Sequence, residues 1–278
     1  MSFKIGKINQ LKIVRQAAPG FYLANKENEE VLLPNAFIRE SMKIGDAIDV
    51  FVYTDSDDRL VASTIYPVAK RGEFALLKVT DVTNFGAYVD WGLQKELLIP
   101  KKYQKSPFKI GESRVILVVL DEFTNRLIGV EKFGKFLPQT HPNFKVNEEV
   151  NLFILAKTPM GYKALVNNKF EGMLFSNEVY EKIEIGEKRV GYIKKVRSDG
   201  KIDLSLRLIG EANEAMSQEK LLSTLREHNF TMPYNTKTDP QIIYDVFNLS
   251  KKNFKSAINI LVNEGLIEVG EFGIRRKK

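Results

Sequence analysis

The 278-residue sequence contains no cysteine, which excludes disulfide bonds and cysteine-ligated zinc. Of its two histidines, His141 lies in a proline-flanked segment and His228 at the predicted end of a helix, and neither lies beside a candidate nucleophile or a pair of carboxylates. The glycine motifs that cradle phosphates are also missing. We therefore expect a binding protein rather than an enzyme, and one that uses no cofactor.

Long apolar runs and a dominant charge of one sign are missing as well. No apolar run approaches the ~18 residues of a membrane span, and no signal-like segment precedes the first predicted strand, so we expect a cytoplasmic protein without membrane contact. The net charge is +7, but acidic and basic residues are mixed along the whole chain. Electrostatic clamping of a nucleic acid should therefore be modest, and base stacking would have to supply much of the affinity.

One ordered set of landmarks occurs three times along the chain. A glycine precedes each strand-like run, and a proline or phenylalanine follows 14 residues later: Gly20 and Pro34, Gly86 and Pro100, Gly161 and Phe175. An Ile-Gly pair comes next at residues 44–45, 110–111 and 185–186, and each pair precedes an apolar strand. A polar turn with a basic residue then closes each set, at residues 55–59, 121–126 and 197–201. This agreement indicates a triplicated unit.

Each unit has about 65 residues and several short alternating runs separated by turn residues, which is typical of a small β-sheet. A sheet of this size with free edges would be marginal and prone to aggregation. We therefore predict three five-stranded barrels of the OB type in series.

The C-terminal quarter has a different pattern. Apolar residues at helical spacing occur between residues 211 and 228. Asp239 followed by Pro240 predicts the start of a short helix ending near Phe247, and Ser250 predicts the cap of a longer one that Gly265 stops. A ribbon of two strands with a turn near Gly270 follows. Three helices and a ribbon predict a winged helix-turn-helix.

The middle unit resembles the S1 domain. Phe85-Gly-Ala-Tyr-Val89 is similar to the Phe-Gly-Ala-Phe-Val strand of that domain, Lys109-Ile-Gly111 to its Phe-x-x-Gly-Asp turn, and Asp121 to Arg126 to its Asp-x-x-x-Arg turn. Pro100 replaces a histidine found in many S1 domains, and the last turn is one residue longer. The first and third units are more diverged copies.

With the C-terminal segment included, the chain resembles the conserved-virulence-factor-B family, also called YitL-like proteins. The run from Thr238 to Ile258 carries the closest likeness. The resemblance implies S1-like barrels at residues 1–69, 70–137 and 143–210, and a winged helix at 211–278. The predicted fold is thus mostly β with a C-terminal α+β domain. The resemblance also implies a cytoplasmic RNA-binding protein in post-transcriptional control of gene expression, with no assigned catalysis.

The middle barrel carries the main predicted site. Strand alternation places Tyr88 on the outer face, and Phe85 joins it if the chain is redirected at Gly86. The two rings would stack on unpaired bases, with Arg126 held by Asp121 against a phosphate or base, and Lys101 and Lys102 extending a positive rim. Alternative interpretations keep Phe85 as a plug of the barrel end and Tyr88 as a packing residue against a neighbouring barrel.

Equivalent positions extend the predicted RNA site to the other two barrels. They are Tyr22 and Arg59 in the first barrel, and Lys163, Phe175 and Lys201 in the third. Asp55, Asp57 and Asp58 are interpreted as turn formers rather than a metal site, and we predict no metal. Trp91 keeps the parity of the core side and is interpreted as a core or inter-barrel residue.

The winged helix supplies a possible second contact to nucleic acid or, alternatively, to a protein. The predicted contact residues share a positive charge and lie at the start of the long helix or after the ribbon: Lys251, Lys252, Lys255, Arg275 and Arg276. We predict an RNA-binding regulator that holds single-stranded RNA on the barrels. The competing interpretations are a DNA-binding transcription regulator that uses the winged helix on duplex, and a ribosome- or nuclease-associated adaptor.

Overall fold

The computed structural model describes residues 3–176, 179 and 181–277. The first barrel is closed, with strand order β1-β2-β3-β5-β4. Its strands are β1 (Ile8–Ala17), β2 (Gly20–Ala24), β3 (Glu30–Pro34), β4 (Ala47–Thr54) and β5 (Leu60–Ser63). Within the described residues, no helix combines the length and the apolarity that a membrane crossing would need.

The predicted series of three five-stranded units is confirmed, except that the middle one is a curled sheet without a closing strand pair. Its strands are β6 (Phe74–Val82), β7 (Gly86–Asp90), β8 (Leu97–Pro100), β9 (Ser113–Asp121) and β10 (Arg126–Val130). They keep the neighbours seen in the first barrel, but β8 and β10 are in contact without pairing. In the first barrel the corresponding closure is one parallel pair, Leu32 with Val61. Very little hydrogen bonding therefore closes the first barrel. The middle sheet lacks the corresponding pair, and side-chain packing alone keeps that sheet curled.

Packing around Gly129 on β10 shows how the curl is held. A Cβ added at Gly129 would lie 2.8 Å from the side chain of Ile99 on β8 and 2.6 Å from that of Ile116 on β9. The absence of a side chain on Gly129 therefore lets β10 approach the core residues of the neighbouring strands. The middle sheet encloses its core through packing rather than through a complete ladder of hydrogen bonds.

The third unit is a closed barrel with order β11-β12-β13-β15-β14. Its strands are β11 (Glu149–Thr158), β12 (Gly161–Val166), β13 (Phe170–Phe175), β14 (Lys188–Val196) and β15 (Ile202–Ser205). By spatial proximity the chain divides into two compact units, and the division passes through β11, β13 and β14. The four domain boundaries given above remain a prediction.

Trp91 joins the cores of the first two barrels, as one of its two interpretations predicted. Its side chain is 2% exposed, and its ring meets that of Phe51 edge to face, with centroids 6.0 Å apart. The indole Nε1 donates a 2.6 Å hydrogen bond to the carbonyl of Lys95. A continuous cluster of buried residues therefore spans both barrels.

The C-terminal domain follows the predicted order of three helices and a ribbon. Its elements are α1 (Gly210–Glu227), β16 (Thr231–Met232), α2 (Pro240–Phe247), α3 (Lys251–Asn263), β17 (Ile267–Gly270) and β18 (Gly273–Arg276). Both predicted caps are present: Asp239 accepts a hydrogen bond from the Gln241 N–H at 2.8 Å, and Ser250 accepts one from the Asn253 N–H at 3.2 Å. The short strand β16, which pairs with β18, was not predicted.

Candidate nucleic-acid interface

All three barrels share an irregularity in the first strand, just before the residue that pairs with Tyr22, Tyr88 or Lys163 of the second strand. The first strand of each has an irregular register, after Ile13, Val79 and Ile154. At each irregularity the carbonyl accepts a 2.8 Å hydrogen bond from the glycine of the repeated Ile-Gly pair, namely Gly45, Gly111 and Gly186. These three glycines have φ values of +102°, +87° and +87°, which favour glycine. The third landmark therefore anchors the bulge of the first strand.

The first landmark glycine and the proline 14 residues later are partners across two strands. Gly20 pairs with Pro34 and Gly86 pairs with Pro100. A Cβ at Gly86 would lie 2.2 Å from the carbonyl oxygen of Ile99, so no larger residue fits there without a shift of the strand. The repeated spacing thus reflects a close approach between the second and third strands.

Phe85 and Tyr88 both lie outside the core of the middle barrel, as the outer-face interpretation requires, and their sharing of one face stays a prediction. Phe85 immediately precedes β7 and is 79% exposed, so it does not plug the barrel. Along β7, Ala87 and Val89 are buried while Tyr88 is half-buried and Asp90 is exposed. The middle barrel therefore presents one fully projecting ring and one partly covered ring near the start of the same strand.

The equivalent ring of the first barrel is covered by another side chain. Tyr22 on β2 pairs with Arg15 on β1, just as Tyr88 pairs with Asp81. The guanidinium carbon of Arg15 lies 3.5 Å from the centroid of the Tyr22 ring. Glu30 holds the guanidinium through hydrogen bonds of 3.0 and 2.6 Å, and this pairing raises the pKa of Arg15. Arg15 thus occupies one face of the ring on which a base would stack.

The corresponding face of the third barrel lines a groove. Lys163 on β12 pairs with Ala156, at the same place in the register as Tyr88 and Asp81. Both residues line a groove of about 460 Å³ together with residues of the middle barrel, among them Arg114, Glu131 and Lys105. No aromatic ring stands at this position of the third barrel. The equivalent face of the middle barrel differs from these two, because it carries the Tyr88 ring and the exposed Phe85 lies three residues before it.

Arg126 is not brought to the rings, which corrects the predicted arrangement. Its guanidinium forms an ion pair with Asp58 in the β4–β5 turn of the first barrel. The Asp121 carboxylate accepts hydrogen bonds from the Thr124 hydroxyl at 2.9 Å and from the Phe123 N–H at 3.4 Å, so it shapes its own turn rather than orienting Arg126. In the middle barrel, the basic residue of the repeated turn therefore forms an ion pair with the first barrel.

Lys95 shows at which end of the barrel Arg126 lies. The Lys95 ammonium donates hydrogen bonds to the carbonyls of Thr54 and Asp55 at 3.1 and 2.6 Å, so it lies at the β4–β5 turn that also holds Asp58, the partner of Arg126. Lys95 follows β7, whereas Phe85 precedes it. The five residues of β7 span roughly 16 Å at ~3.3 Å each, so Arg126 and Phe85 lie near opposite ends of the strand.

The remaining predicted barrel residues are mostly engaged in local ion pairs. Arg59 contacts Asp55 at 2.7 Å and Asp57 at 2.8 Å, and Lys201 contacts Asp199 at 2.8 Å. Asp55 also accepts hydrogen bonds from the N–H groups of Asp57 and Arg59, which supports its interpretation as a turn former. Phe175 is half-buried with the Arg197 guanidinium 5.8 Å from its ring centroid. Each of these side chains has a protein partner nearby, whereas the Phe85 ring is mostly exposed to water.

In the winged helix, the lysines at the start of α3 are more available than the arginines of the ribbon. Lys252 and Lys255 are exposed and Lys251 is half-buried. Arg275 is paired with Glu268 at 3.0 Å, and the Arg276 guanidinium lies 5.1 Å from the Phe230 ring centroid. Phe272, between β17 and β18, is 91% exposed and was not singled out from the sequence.

A group of residues beside Phe85 was also largely missed. Of this group, only Lys101 and Lys102 were predicted. The backbone N–H of Lys101 donates a 3.2 Å hydrogen bond to the carbonyl of Phe85. Tyr103 lies two residues further on, in the short 3₁₀ turn Lys101–Tyr103. Its ring is 4.9 Å from the ammonium groups of both Lys102 and Lys135. The pattern of lysine next to aromatic in two separate segments was the available signal.

The comparisons with known proteins agree with this architecture. Residues 5–65 match the S1 domain model, and residues 219–275 match the model of a CvfB-like winged helix domain. The S1 match falls on the first barrel, although the strand motif was closer to S1 in the middle one.

Full-length relatives cover nearly the whole chain. The YitL protein of Bacillus subtilis is 27% identical over 281 residues, with 96% of this chain and 91% of the relative covered. Conserved virulence factor B of Staphylococcus epidermidis ATCC 12228 is 26% identical over 98% of this chain and 95% of its own. A solved multidomain protein with nucleic acid binding domains from Streptococcus pneumoniae TIGR4 is 21% identical, covers 98% of both chains and has a TM-score of 0.42.

The fold and these matches define a multidomain protein of S1-type barrels with a C-terminal winged helix. The chain is similar over nearly its whole length to YitL and conserved virulence factor B, and its C-terminal part matches the CvfB-like winged helix model, in agreement with the resemblance in its sequence.

Proposed function

We propose that this protein binds single-stranded RNA, chiefly on the middle barrel, and acts in post-transcriptional control of gene expression. The observation that carries the proposal is the 79% exposure of Phe85 at the start of β7, next to the outward-facing Tyr88. An aromatic ring that is mostly exposed to water contributes little to the stability of the fold. It gains from a ligand with flat apolar faces, and unpaired bases have such faces.

Comparison of the barrels favours the middle one as the principal site. In the first barrel Arg15 covers one face of the Tyr22 ring, and in the third a lysine replaces the ring. RNA rather than DNA is the expected class because residues 5–65 match the S1 domain and the chain resembles a family for which RNA binding is implied.

The test is a side-by-side titration of single-stranded RNA, single-stranded DNA and duplex DNA at two salt concentrations. Single-stranded RNA should bind best, because the rings need unstacked bases. The slope of log affinity against log salt should be about −2 to −4, which corresponds to ~3–6 phosphates at ~0.7 each. Tighter binding to duplex DNA with a steep slope would contradict the proposal.

The double variant Phe85→Ala/Tyr88→Ala tests the site itself. If each ring supports one base, RNA affinity should fall by ~2–4 kcal/mol, which is roughly 30- to 700-fold. Phe123→Ala is a matched control, because Phe123 is 98% exposed but lies in the turn between β9 and β10 that Arg126 ends. Wild-type affinity in a folded double variant, checked by circular dichroism, would move the site elsewhere.

Duplex DNA binding by the winged helix is the second candidate. Lys252 and Lys255 are exposed in the first turns of α3, whose N-terminus Ser250 caps, and Phe272 projects from the ribbon. Lys252→Gln/Lys255→Gln should then abolish duplex binding and leave RNA binding to the barrels unchanged. Binding of neither RNA nor DNA would favour the third interpretation, an adaptor that acts through protein contacts.

A further inference from the structure

Four lysines beside Phe85 form a surface that we call the lysine cluster: Lys101, Lys102, Lys132 and Lys135. They come from two chain segments, the 3₁₀ turn after β8 and the stretch after β10. The Lys132 ammonium lies 3.4 Å from the carbonyl oxygen of Lys102, which joins the two segments. All four residues are exposed.

The charge of the lysine cluster is not balanced by carboxylates. Among the ion pairs of residues 3–176, 179 and 181–277, none involves its four members. Glu131, which follows β10 directly, is 7% exposed and engaged with Arg114 at 3.3 Å and with the Lys105 N–H at 2.6 Å. Ammonium groups gathered on one surface repel each other, and an anionic ligand relieves that repulsion.

Aromatic rings are interleaved with these charges. The Tyr103 ring lies 4.9 Å from the ammonium groups of Lys102 and Lys135, and it meets Phe136 edge to face with centroids 5.9 Å apart. Phe136 is 38% exposed, and the Lys135 ammonium lies 5.0 Å from its ring centroid. Cations alternating with aromatic rings, of which Phe136 is exposed and Tyr103 half-buried, suit a ligand that alternates phosphates with bases. An acidic peptide would use the charges but not the rings.

The lysine cluster is not a consequence of the barrel fold. With the landmark prolines aligned, Asn35 and Ala36 of the first barrel stand where the middle barrel has Lys101 and Lys102. With the turn arginines Arg59 and Arg126 aligned, the counterparts of Lys132 and Lys135 are Ile65 and Val68, which are 50% and 60% exposed. The same surface positions exist in both barrels, and only the middle one of this pair fills them with lysine.

We propose that the lysine cluster holds the phosphate backbone of single-stranded RNA as it leaves Phe85 and Tyr88, with Tyr103 and Phe136 facing the next base. The hydrogen bond from Lys101 to the Phe85 carbonyl makes the two surfaces continuous. This inference rests on the proposed function and extends that site from two rings to a longer track. It predicts a binding site larger than the bases that the two rings alone can cover.

The experiment compares two unstructured RNAs, of about 4 and about 12 nucleotides, which bracket the usual site sizes of such barrels. The variant Lys101→Gln/Lys102→Gln/Lys132→Gln/Lys135→Gln should weaken binding of the long RNA more than binding of the short RNA. For the long RNA, the salt slope should become shallower by about 2 to 3, which corresponds to ~3–4 phosphates at ~0.7 each. The matched control replaces four exposed lysines of the first barrel by glutamine: Lys4, Lys12, Lys26 and Lys43.

The outcomes separate this inference from the proposed function. If Phe85→Ala/Tyr88→Ala weakens both RNAs while the lysine variant keeps the wild-type slope, the inference is wrong and the ring site stands. An equal change of slope in the first-barrel control would also overturn the inference, because general charge would then explain the effect. If the lysine variant loses affinity for the long RNA and the ring variant loses none, the proposed ring site fails together with the track that continues from it.

Discussion

The most informative perturbation removes the cover from the first barrel's ring. Arg15→Ala deletes the guanidinium that lies 3.5 Å from the Tyr22 ring centroid, and Glu30→Gln removes the carboxylate that this change would leave unpaired. The double change removes one charge of each sign, so the net charge is unaltered. Since the Tyr22 and Tyr88 positions are equivalent in register, the variant should convert the first barrel into a second stacking site.

The size of the effect follows from the geometry. One newly opened ring supports one base, and base stacking on an aromatic residue is worth ~1–3 kcal/mol. The lower end applies here, because Pro19 stands where the middle barrel has Phe85 and no second ring assists. A gain of ~1 kcal/mol corresponds to roughly fivefold tighter binding. The gain requires an RNA long enough to reach both barrels.

Titration of the long RNA against the wild type, Arg15→Ala/Glu30→Gln and the same variant with Tyr22→Ala measures the effect. The gain should appear in the double variant and disappear when Tyr22 is also removed, while Tyr22→Ala alone should change little. Weaker binding by Arg15→Ala/Glu30→Gln would refute the reasoning, because it would show that Arg15 itself contacts RNA. A loss of affinity in Tyr22→Ala alone would show that the covered ring is already used.

Three further predictions concern the joint between the first two barrels and the β4–β5 turn. Trp91→Ala should lower the free energy of unfolding by ~3–5 kcal/mol, measured by denaturant unfolding followed by circular dichroism, because the side chain is 2% exposed and packs on Phe51. Arg126→Gln should leave RNA affinity close to that of the wild type, since its guanidinium is paired with Asp58; a loss as large as that of the ring variant would return Arg126 to the site. Burial alone would raise the pKa of Asp55, but hydrogen bonds from Arg59 and from backbone N–H groups lower it. Its contribution to stability is therefore complete above the pKa of the unfolded carboxyl and is lost as the pH falls through the lower folded value, so Asp55→Asn should flatten the acid side of a plot of melting temperature against pH.

Features that depend on neighbouring residues or on a regular spacing could be predicted from the sequence. The repeated Gly and Ile-Gly landmarks correspond to a close strand approach and to a turn that anchors a bulge, both set by backbone conformation at single residues. The caps at Asp239 and Ser250 and the core side of Trp91 were predictable for the same reason: each depends on neighbours within a few residues or on a period of two.

Whether a predicted ring is open depended on tertiary structure. Tyr22 and Tyr88 stand at equivalent places in the repeat, yet only the register across the bulge shows that Arg15 covers the first and Asp81 faces the second. Arg126 could not be assigned, because its partner Asp58 lies 68 residues away in another barrel.

The incomplete closure of the middle barrel and the lysine cluster were likewise decided by the folded chain. The first arises where β8 meets β10, and the second arises where the segments that follow these two strands meet. A sequence pattern records which residues share one face of one strand. Which segments from different parts of the chain meet is decided by strand register and packing, and those interactions exist only once the chain has folded.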